Sequence, residues 1–233
     1  MHRRSEPGIL YFGTPVVLIS TLNDDGSANL APISSAFWLG WRCVLGFGAA
    51  AQSVANLIRS REAVINLPSV DLAPQVDRLA LTTGRDPVPE TKQRRGYIFR
   101  PDKFELSGLT PEQAETVAPP RVKECQVQLE AVVEHLHPLA EADPAQRGRV
   151  VCVELRIQRV WLAPEILMAG DPDRVDPDKW RPLIMSFQHF YGLGERVHPS
   201  RLALIPEALY RGSDIETARE VPARRQALPA EPV

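Results

Sequence analysis

The chain has 233 residues, of which 44% are hydrophobic and 24% charged, so we expect a sizeable core that needs no framework of disulfides. Its 27 basic and 29 acidic residues give a net charge of −2, which excludes a broad positive field for nucleic acid or an anionic membrane. The three cysteines are far apart and no leader or membrane span is visible, so we expect a cytoplasmic protein.

The first third of the chain predicts short strands and one helix. The strands are apolar and rich in β-branched residues, and the polar turn at residues 23–26 joins the first two as a hairpin. In residues 52–60, Val54, Leu57 and Ile58 share one helical face, which predicts a helix. The strands are predicted at residues 16–21, 27–33, 41–47 and 63–67.

The rest of the chain predicts two longer strands and few helices. Apolar and polar residues alternate over residues 122–136 and 150–162, as they do in strands. Residues 72–80 favour a helix, and residues 110–112 are typical of a helix start with proline in its first turn. Six or so strands with few helices predict a mainly β fold, an antiparallel, closed or partly closed barrel with helical decorations.

Polar segments set the expected domain boundaries. Residues 82–99 are polar, basic and proline-bearing, which predicts an excursion from the barrel. After about Arg211 the chain is polar and carries three prolines. We therefore expect one domain over residues 1–210, with an excursion loop at residues 82–100, and a mobile tail over residues 211–233.

A glycine-rich turn lies before the predicted helix at residues 52–60. Residues 46–51, GFGAAA, fit the GxGxxA dinucleotide pattern, but no alternating strand–helix pattern follows and the expected acidic residue would be Asp71, beyond the next strand. The free amides and the positive dipole end of the helix favour a phosphate without that fold. Ser53 and Asn56 lie on its polar side and can add hydrogen bonds.

Other chemistries have weaker support. Glu134, His135 and His137 are close in sequence, but only the two histidines share a strand face and no third ligand for zinc is evident nearby, so no metal site is predicted. No GxSxG motif or local Cys–His arrangement indicates covalent hydrolysis. The basic residues around Tyr97 and Phe99 are interpreted as a loop surface that contacts an anionic ligand or another subunit.

Several blocks of the sequence resemble the flavin reductase-like, FMN-binding split-barrel proteins. Two blocks begin VVLISTLNDDGSANLAPISS and VLGFGAAAQSVANLIRS, and two later ones begin KFELSGL and VVCVELRIQRVWL. The order and spacing of these blocks cover about the first two-thirds of the chain. The segment DPDKWRPLIMSFQHFYGLGER is also similar to the C-terminal part of one branch of the family.

The resemblance implies a six-stranded antiparallel Greek-key split barrel and a homodimer with FMN near the dimer interface. It also implies an NAD(P)H-dependent flavin reductase in which hydride passes to flavin N5, so that the flavin rather than a catalytic side chain carries the chemistry. The alternatives are a flavoredoxin-like electron carrier with no dedicated substrate and a dimeric barrel that has lost flavin and serves as a binding module. FAD is the alternative cofactor, and an electron-acceptor protein is a further expected partner.

The resemblance also assigns the candidate site. Phe37, Trp38 or Tyr191 is expected to pack on or near the flavin ring, and His189 is the candidate beside the nicotinamide or substrate. The residues expected to bind the cofactor are Asn29, Leu30, Ala31, Pro32, Ile33, Ser34, Ser35, Ala50, Ala51, Gln52, Ser53 and Asn56.

This chain departs from the family near the phosphate. Many members carry a lysine and a threonine where this chain has Ala51 or Gln52 and Ser53-Val54. The phosphate charge is then left to backbone amides, to Ser53 and to a cation from elsewhere. The basic loop at residues 85–100 is the expected source of that cation.

Overall fold

The structure is a computed structural model that describes residues 2–224. Over that part of the chain, sixteen strands, five α-helices and four 3-10 helices form, and seven of the strands build one antiparallel sheet. The strands are β1 (Phe12–Pro15), β2 (Val17–Leu22), β3 (Ala28–Ile33), β4 (Ala36–Leu39), β5 (Arg42–Gly48), β6 (Glu62–Leu67), β7 (Thr82–Thr83), β8 (Ile98–Phe99), β9 (Pro111–Glu112), β10 (Arg121–Val122), β11 (Val127–Pro138), β12 (Val150–Leu162), β13 (Leu167–Met168), β14 (Asp171–Val175), β15 (Ile184–Ser186) and β16 (His189–Tyr191). The α-helices are α1 (Gln52–Ser60), α2 (Ala73–Asp77), α3 (Glu90–Gln93), α4 (Lys103–Ser107) and α5 (Ser213–Glu220), and the 3-10 helices are Val70–Leu72, Pro164–Ile166, Arg201–Leu204 and Glu207–Tyr210. None of the described helices is long and apolar enough to cross a membrane.

The main sheet has the strand order β3-β2-β6-β11-β12-β5-β4. Its two edge strands, β3 and β4, are separated in the chain only by Ser34 and Ser35. A flat sheet of this width would hold its edges roughly 29 Å apart, whereas the chain from residue 33 to residue 36 reaches about 11 Å. The sheet is therefore rolled, and the two serines lie at the split between its edges. This confirms the predicted mainly β barrel class, with seven strands in the main sheet rather than six.

Two hydrophobic cores lie on the two faces of β2. Val17 and Ile19 enter a core inside the rolled sheet, which α1 closes with Leu57. Val16 and Leu18 face a second core outside it. The second core includes residues from the 3-10 turn at Val70–Leu72, from α2 and from the segments next to α2 and α4. It holds the segments on either side of the excursion against β3 and β2.

The excursion predicted at residues 82–99 has a defined neck. Strands β7 and β8 pair in parallel, with Thr82 opposite Ile98 and Thr83 opposite Phe99. Between them the chain forms the single helical turn α3. The excursion is thus tied at its base, next to the second core.

Three sequence-based element assignments are wrong. Residues 110–112 do not start a helix, because Pro111–Glu112 pairs with Arg121–Val122 as a two-stranded ladder. The strand predicted from residue 122 begins at Val127, because the Gln128 amide turns inward and donates to the carbonyls of Val122 and Cys125. The helix predicted over residues 72–80 is shorter, since a 3-10 turn at Val70–Leu72 precedes α2.

The segment after Arg211 is also more ordered than its composition predicts. Helix α5 packs on the barrel with Ala218 buried, and Asp214 pairs with Arg42 at 2.9 Å. Farther on, Arg224 pairs with Glu62 at 2.8 Å. Ion pairs to the sheet thus compensate for low apolar content in residues 213–224, and the mobility of the tail over residues 211–233 stays a prediction. Residues 225–233 of that prediction lie outside the described residues.

Candidate functional site

A cluster of buried polar side chains lies at the start of α1. The Asn29 amide donates to Ser53 Oγ at 3.2 Å and to Thr21 Oγ1 at 3.3 Å. The Asn56 amide donates to Thr21 Oγ1 at 3.0 Å and accepts from Gln52 Nε2 at 3.0 Å. Ala51, which precedes the helix, provides no side-chain cap for its first amides. These five side chains, called here the polar cluster, lie where the dipole of α1 favours negative charge.

Residues 81–84 follow β3 towards this cluster. A Cβ on Gly84 would lie 2.5 Å from Asn29 Oδ1 and 3.3 Å from Gln52 Cγ, so only glycine fits this approach. At its other end, Leu81 lines a cavity together with Pro32 and Ile33 of β3. The neck of the excursion therefore runs beside β3 from that cavity to the polar cluster.

Two lysines hold the threonines of this neck. Lys92 Nζ donates to Thr83 Oγ1 at 3.2 Å, and Lys103 Nζ donates to Thr82 Oγ1 at 2.7 Å. Lys103 is only 2% exposed, and burial, with a smaller effect of the charge on Lys92, lowers its pKa to about 8. Burial also lowers the pKa of Lys92. Neither amine has an ion-pair partner among residues 2–224, so the neck carries positive charge without a neutralising contact.

The cavity at the other end of the neck has a volume of about 440 Å³, which is within the usual range for a small-molecule site. Its walls come from β3, from α2, from the excursion and from the small sheet β1-β15-β16. Beside it, the Tyr11 hydroxyl lies 3.0 Å from Ser35 Oγ at the split of the barrel. The lining residues are Tyr11, Val16, Pro32, Ile33, Ser34, Val76, Asp77, Ala80, Leu81, Tyr97, Met185, Gln188 and Phe190.

Comparison with known proteins assigns the family. Residues 9–194 match the family described as the flavin reductase like domain. The chain belongs to this family. Membership supports a flavin-related, oxidoreductase-like role with a flavin as the cofactor.

Individual relatives agree with this assignment. The chain is 38% identical over 192 residues to an uncharacterized protein, YdfE, of Bacillus subtilis (strain 168), which covers 82% of this chain and 89% of YdfE. The fold is similar to that of flavoredoxin of Desulfovibrio vulgaris (Miyazaki F), with a TM-score of 0.69, 19% identity and coverage of 88% of this chain and 100% of that one. It is also similar to nitrilotriacetate monooxygenase component B from Bacillus cereus, with a TM-score of 0.65, 19% identity and coverage of 81% and 88%. At these identities the two structures show a shared fold.

In this flavin reductase-like domain the predicted cofactor residues fall into two groups. Asn29, Gln52, Ser53 and Asn56 lie together in the polar cluster, next to Ala50 and Ala51. Pro32, Ile33 and Ser34 line the cavity, with Ser35 beside it. Between the groups, the Leu30 side chain is buried in the second core and Ala31 packs against the first, so neither side chain is directed to a ligand.

The predicted ring-packing and substrate residues do not line the cavity. Trp38 packs against the first core, and Phe37 is exposed. His189 and Tyr191 are exposed on β16, whereas their neighbour Phe190 points into the cavity, because successive residues of a strand face opposite sides.

Several residues that complete the site were not predicted to lie in it. Lys103 follows an aspartate in a polar stretch, and its burial depends on packing between α4 and β3. Tyr97 and Gly84 belong to an excursion whose neck forms only through the pairing of β7 with β8. Each of these positions depends on long-range contacts that no local pattern records.

The residues considered for a metal site and for thiol chemistry lie in surroundings that do not suit a reactive site. His137 Nε2 lies 3.1 Å from Glu154 Oε2, and Arg156 pairs with Glu134 at 2.8 Å. The described residues contain no group of three or more His, Cys, Asp or Glu placed to hold a metal ion. Burial raises the pKa of the Cys43 thiol to about 12 and also raises that of Cys125, so both thiols stay protonated at neutral pH.

Proposed function

We propose that this chain binds FMN along β3 and acts as an NAD(P)H-dependent oxidoreductase. One observation carries the proposal: an apolar cavity and the polar cluster at the start of α1 lie at the two ends of the same strand and are joined by the lysine-bearing neck of the excursion. FMN has matching ends, a flat ring system and a phosphate. Bound FMN would accept hydride from the nicotinamide at N5 and pass the electrons on.

The cavity end suits the ring system. Pro32, Ile33 and Ser34 form a wall at the split of the barrel, where no neighbouring strand pairs with the outer edge of β3 in the described residues. Free backbone groups at such an edge can hydrogen-bond a ligand's polar rim while apolar side chains exclude water. The chain's role at this end is therefore to hold and orient the ring.

The polar cluster suits the phosphate. The first amides of α1 and the Ser53 hydroxyl are donors, and the helix dipole favours the negative charge. Arg85, one residue beyond Gly84, has no ion-pair partner among residues 2–224, whereas Arg94 and Arg100 of the excursion pair with Glu90 and Asp102. We assign Arg85 as the cation that the start of α1 lacks.

Fluorescence titration with two ligands tests this assignment. Arg85→Ala should weaken FMN about tenfold, which is the value of one charge-assisted hydrogen bond, and should leave riboflavin within twofold. Riboflavin is the same ligand without the phosphate, so the comparison separates the two ends of the site. Arg94→Ala is the matched control, because that arginine is already paired, and should change neither affinity.

The outcomes separate the alternatives. Equal loss of FMN and riboflavin in the Arg85 variant would move the phosphate elsewhere, and a wild-type protein that binds neither would refute the flavin proposal. Stopped-flow absorbance of the FMN-loaded protein then tests the reaction: NADH or NADPH should bleach the visible absorption band of the flavin. A loaded protein that stays oxidised with both nucleotides would be an electron carrier.

A further inference from the structure

Outside β3, the cavity lining carries more aromatic and flexible apolar surface than a cofactor wall from one strand explains. Tyr11, Tyr97 and Phe190 supply three aromatic side chains, and Met185 adds an adaptable one. Flat ring systems bind well between such side chains. These residues come from three different segments, none of them β3, so they add an aromatic part to the lining that β3 does not supply.

Charge is distributed unevenly between the two ends of the site. The cavity lining contains no lysine, arginine or histidine within the described residues, and its one ionisable carboxylate is Asp77, at the end of α2. Lys92 and Lys103 lie instead at the neck of the excursion. An anion is therefore attracted to the polar-cluster end, and one that enters the cavity meets a like charge.

Neutral hydrogen-bonding groups complete the lining. Ser34 and Gln188 can each donate to a carbonyl oxygen. Gln188 and its neighbour Phe187 have φ angles of 68° and 45°, values that non-glycine residues rarely adopt. These φ angles are those of a two-residue hairpin turn, because Ser186 of β15 pairs with His189 of β16, and the turn places Gln188 in the lining.

We infer that, with the flavin ring held against Pro32, Ile33 and Ser34, the aromatic remainder of the cavity takes an uncharged, planar, carbonyl-bearing ring compound of the quinone class as electron acceptor, and that Asp77 discriminates against anionic acceptors. The inference rests on the proposed function, which supplies the reductant. In the overall step NAD(P)H gives up a hydride, that is, two electrons and one proton, and solvent gives a second proton. The two quinone oxygens take up both protons, and the products are the hydroquinone and NAD(P)+.

A binding experiment tests the charge discrimination without turnover. The probes are 2-naphthamide and 2-naphthoate, which differ mainly in charge, titrated into the FMN-loaded protein at low ionic strength and followed by ligand-observed NMR. The amide should bind about fivefold more tightly, since two like charges about 4 Å apart in water cost about that factor. Asp77→Asn should reduce the ratio to within twofold, and Asp71→Asn, an exposed carboxylate outside the lining, should leave it unchanged.

Each result decides between the alternatives. Equal or tighter binding of the naphthoate to the wild type, or a ratio that Asp77→Asn leaves unchanged, would overturn the inference. Turnover with 2-methyl-1,4-naphthoquinone and its 3-sulfonate should show the same preference in kcat/KM, and the reverse order would also overturn it. The two proposals can fail separately. A protein that takes up no FMN would refute the proposed function, and titrating that FMN-free protein with the two naphthalene probes would still test the charge discrimination by Asp77.

Discussion

Lys103 illustrates what a single buried charge does in this site. Burial lowers its pKa to about 8, because the buried environment disfavours the charged form of the amine. At pH 7 the folded protein still keeps this amine charged. Since the unfolded chain holds that proton up to about pH 10.5, it binds more protons than the folded chain between pH 8 and 10.5. The stability that this group contributes is therefore present above about pH 10.5 and is lost as the pH falls to about 8.

Lys103→Met removes this dependence. The free energy of unfolding of the wild type, measured relative to the variant, should rise by up to roughly 3 kcal/mol between pH 8 and 10.5. Urea unfolding at several pH values gives the difference directly, and subtracting the variant removes the titration of other groups. Lys123→Met, at an exposed position, is the control. A difference that does not change with pH would mean that solvent reaches the amine.

At the scale of residues, sequence reasoning found the groups whose roles are local. Ser53 and Asn56 were predicted because they follow a small-residue turn at a helix start, and the structure places both in one hydrogen-bonded cluster with Asn29. Lys103 was missed, because nothing in DKFELS shows that its side chain is buried against β3. Its environment is created by the second core, which joins segments far apart in the chain.

The neck of the excursion is the element whose position the site depends on most. Gly84→Ala would place a methyl group 2.5 Å from Asn29 Oδ1, so either the neck or the asparagine must move. FMN affinity should fall about tenfold or more, since Asn29 and Arg85 lie on either side of the displaced residue. The measurement is the same fluorescence titration with FMN.

A matched glycine separates this effect from a general effect of alanine. Gly194 has no atom within 4 Å of a Cβ and a φ that alanine tolerates, so Gly194→Ala should leave the affinity unchanged. Circular dichroism of both variants checks that the barrel is intact. Unchanged FMN binding by a folded Gly84→Ala protein would show that the close approach of the neck to Asn29 does not matter for the cofactor.

Elements with a strong local pattern were predicted accurately, and short ones were not. Helix α1 and strand β12 begin and end at the predicted residues, because nine and thirteen residues of regular periodicity define them. Strands β1, β15 and β16 have only three or four residues each, and β1 pairs with β15 across more than 160 positions of the chain, as Phe12 with Ser186. Strands β15 and β16 line the cavity together with Tyr11 and Val16 on either side of β1, so the least predictable elements contribute part of its lining.

At the scale of the whole molecule, the barrel follows from one connection. The two residues between β3 and β4 force the edges of a seven-stranded sheet together. A count of strands in the sequence predicts a barrel class, but the position of the split depends on strand order, which the sequence pattern does not show. The candidate site lies at that split, so its location could not be obtained from strand prediction alone.

The whole molecule also exposes an unusual amount of apolar surface near its C-terminal end, which supports the proposed homodimer. Leu202, Leu204, Leu209 and Tyr210 are between 61% and 82% exposed and lie within one short segment. Several exposed large apolar side chains in one segment are typical of protein interfaces. Light scattering after size exclusion should give about twice 25.9 kDa for the wild type, and Leu204→Asp or Leu209→Asp should shift it towards the monomer. Leu139→Asp, at an exposed leucine in the turn after β11, is the control and should remain dimeric.

Two outcomes would contradict this prediction. A wild-type protein that is monomeric at about 100 µM would contradict the homodimer, because usual dimer dissociation constants are on the order of micromolar or below. Leu204→Asp and Leu209→Asp variants that stay dimeric would place the interface on another face.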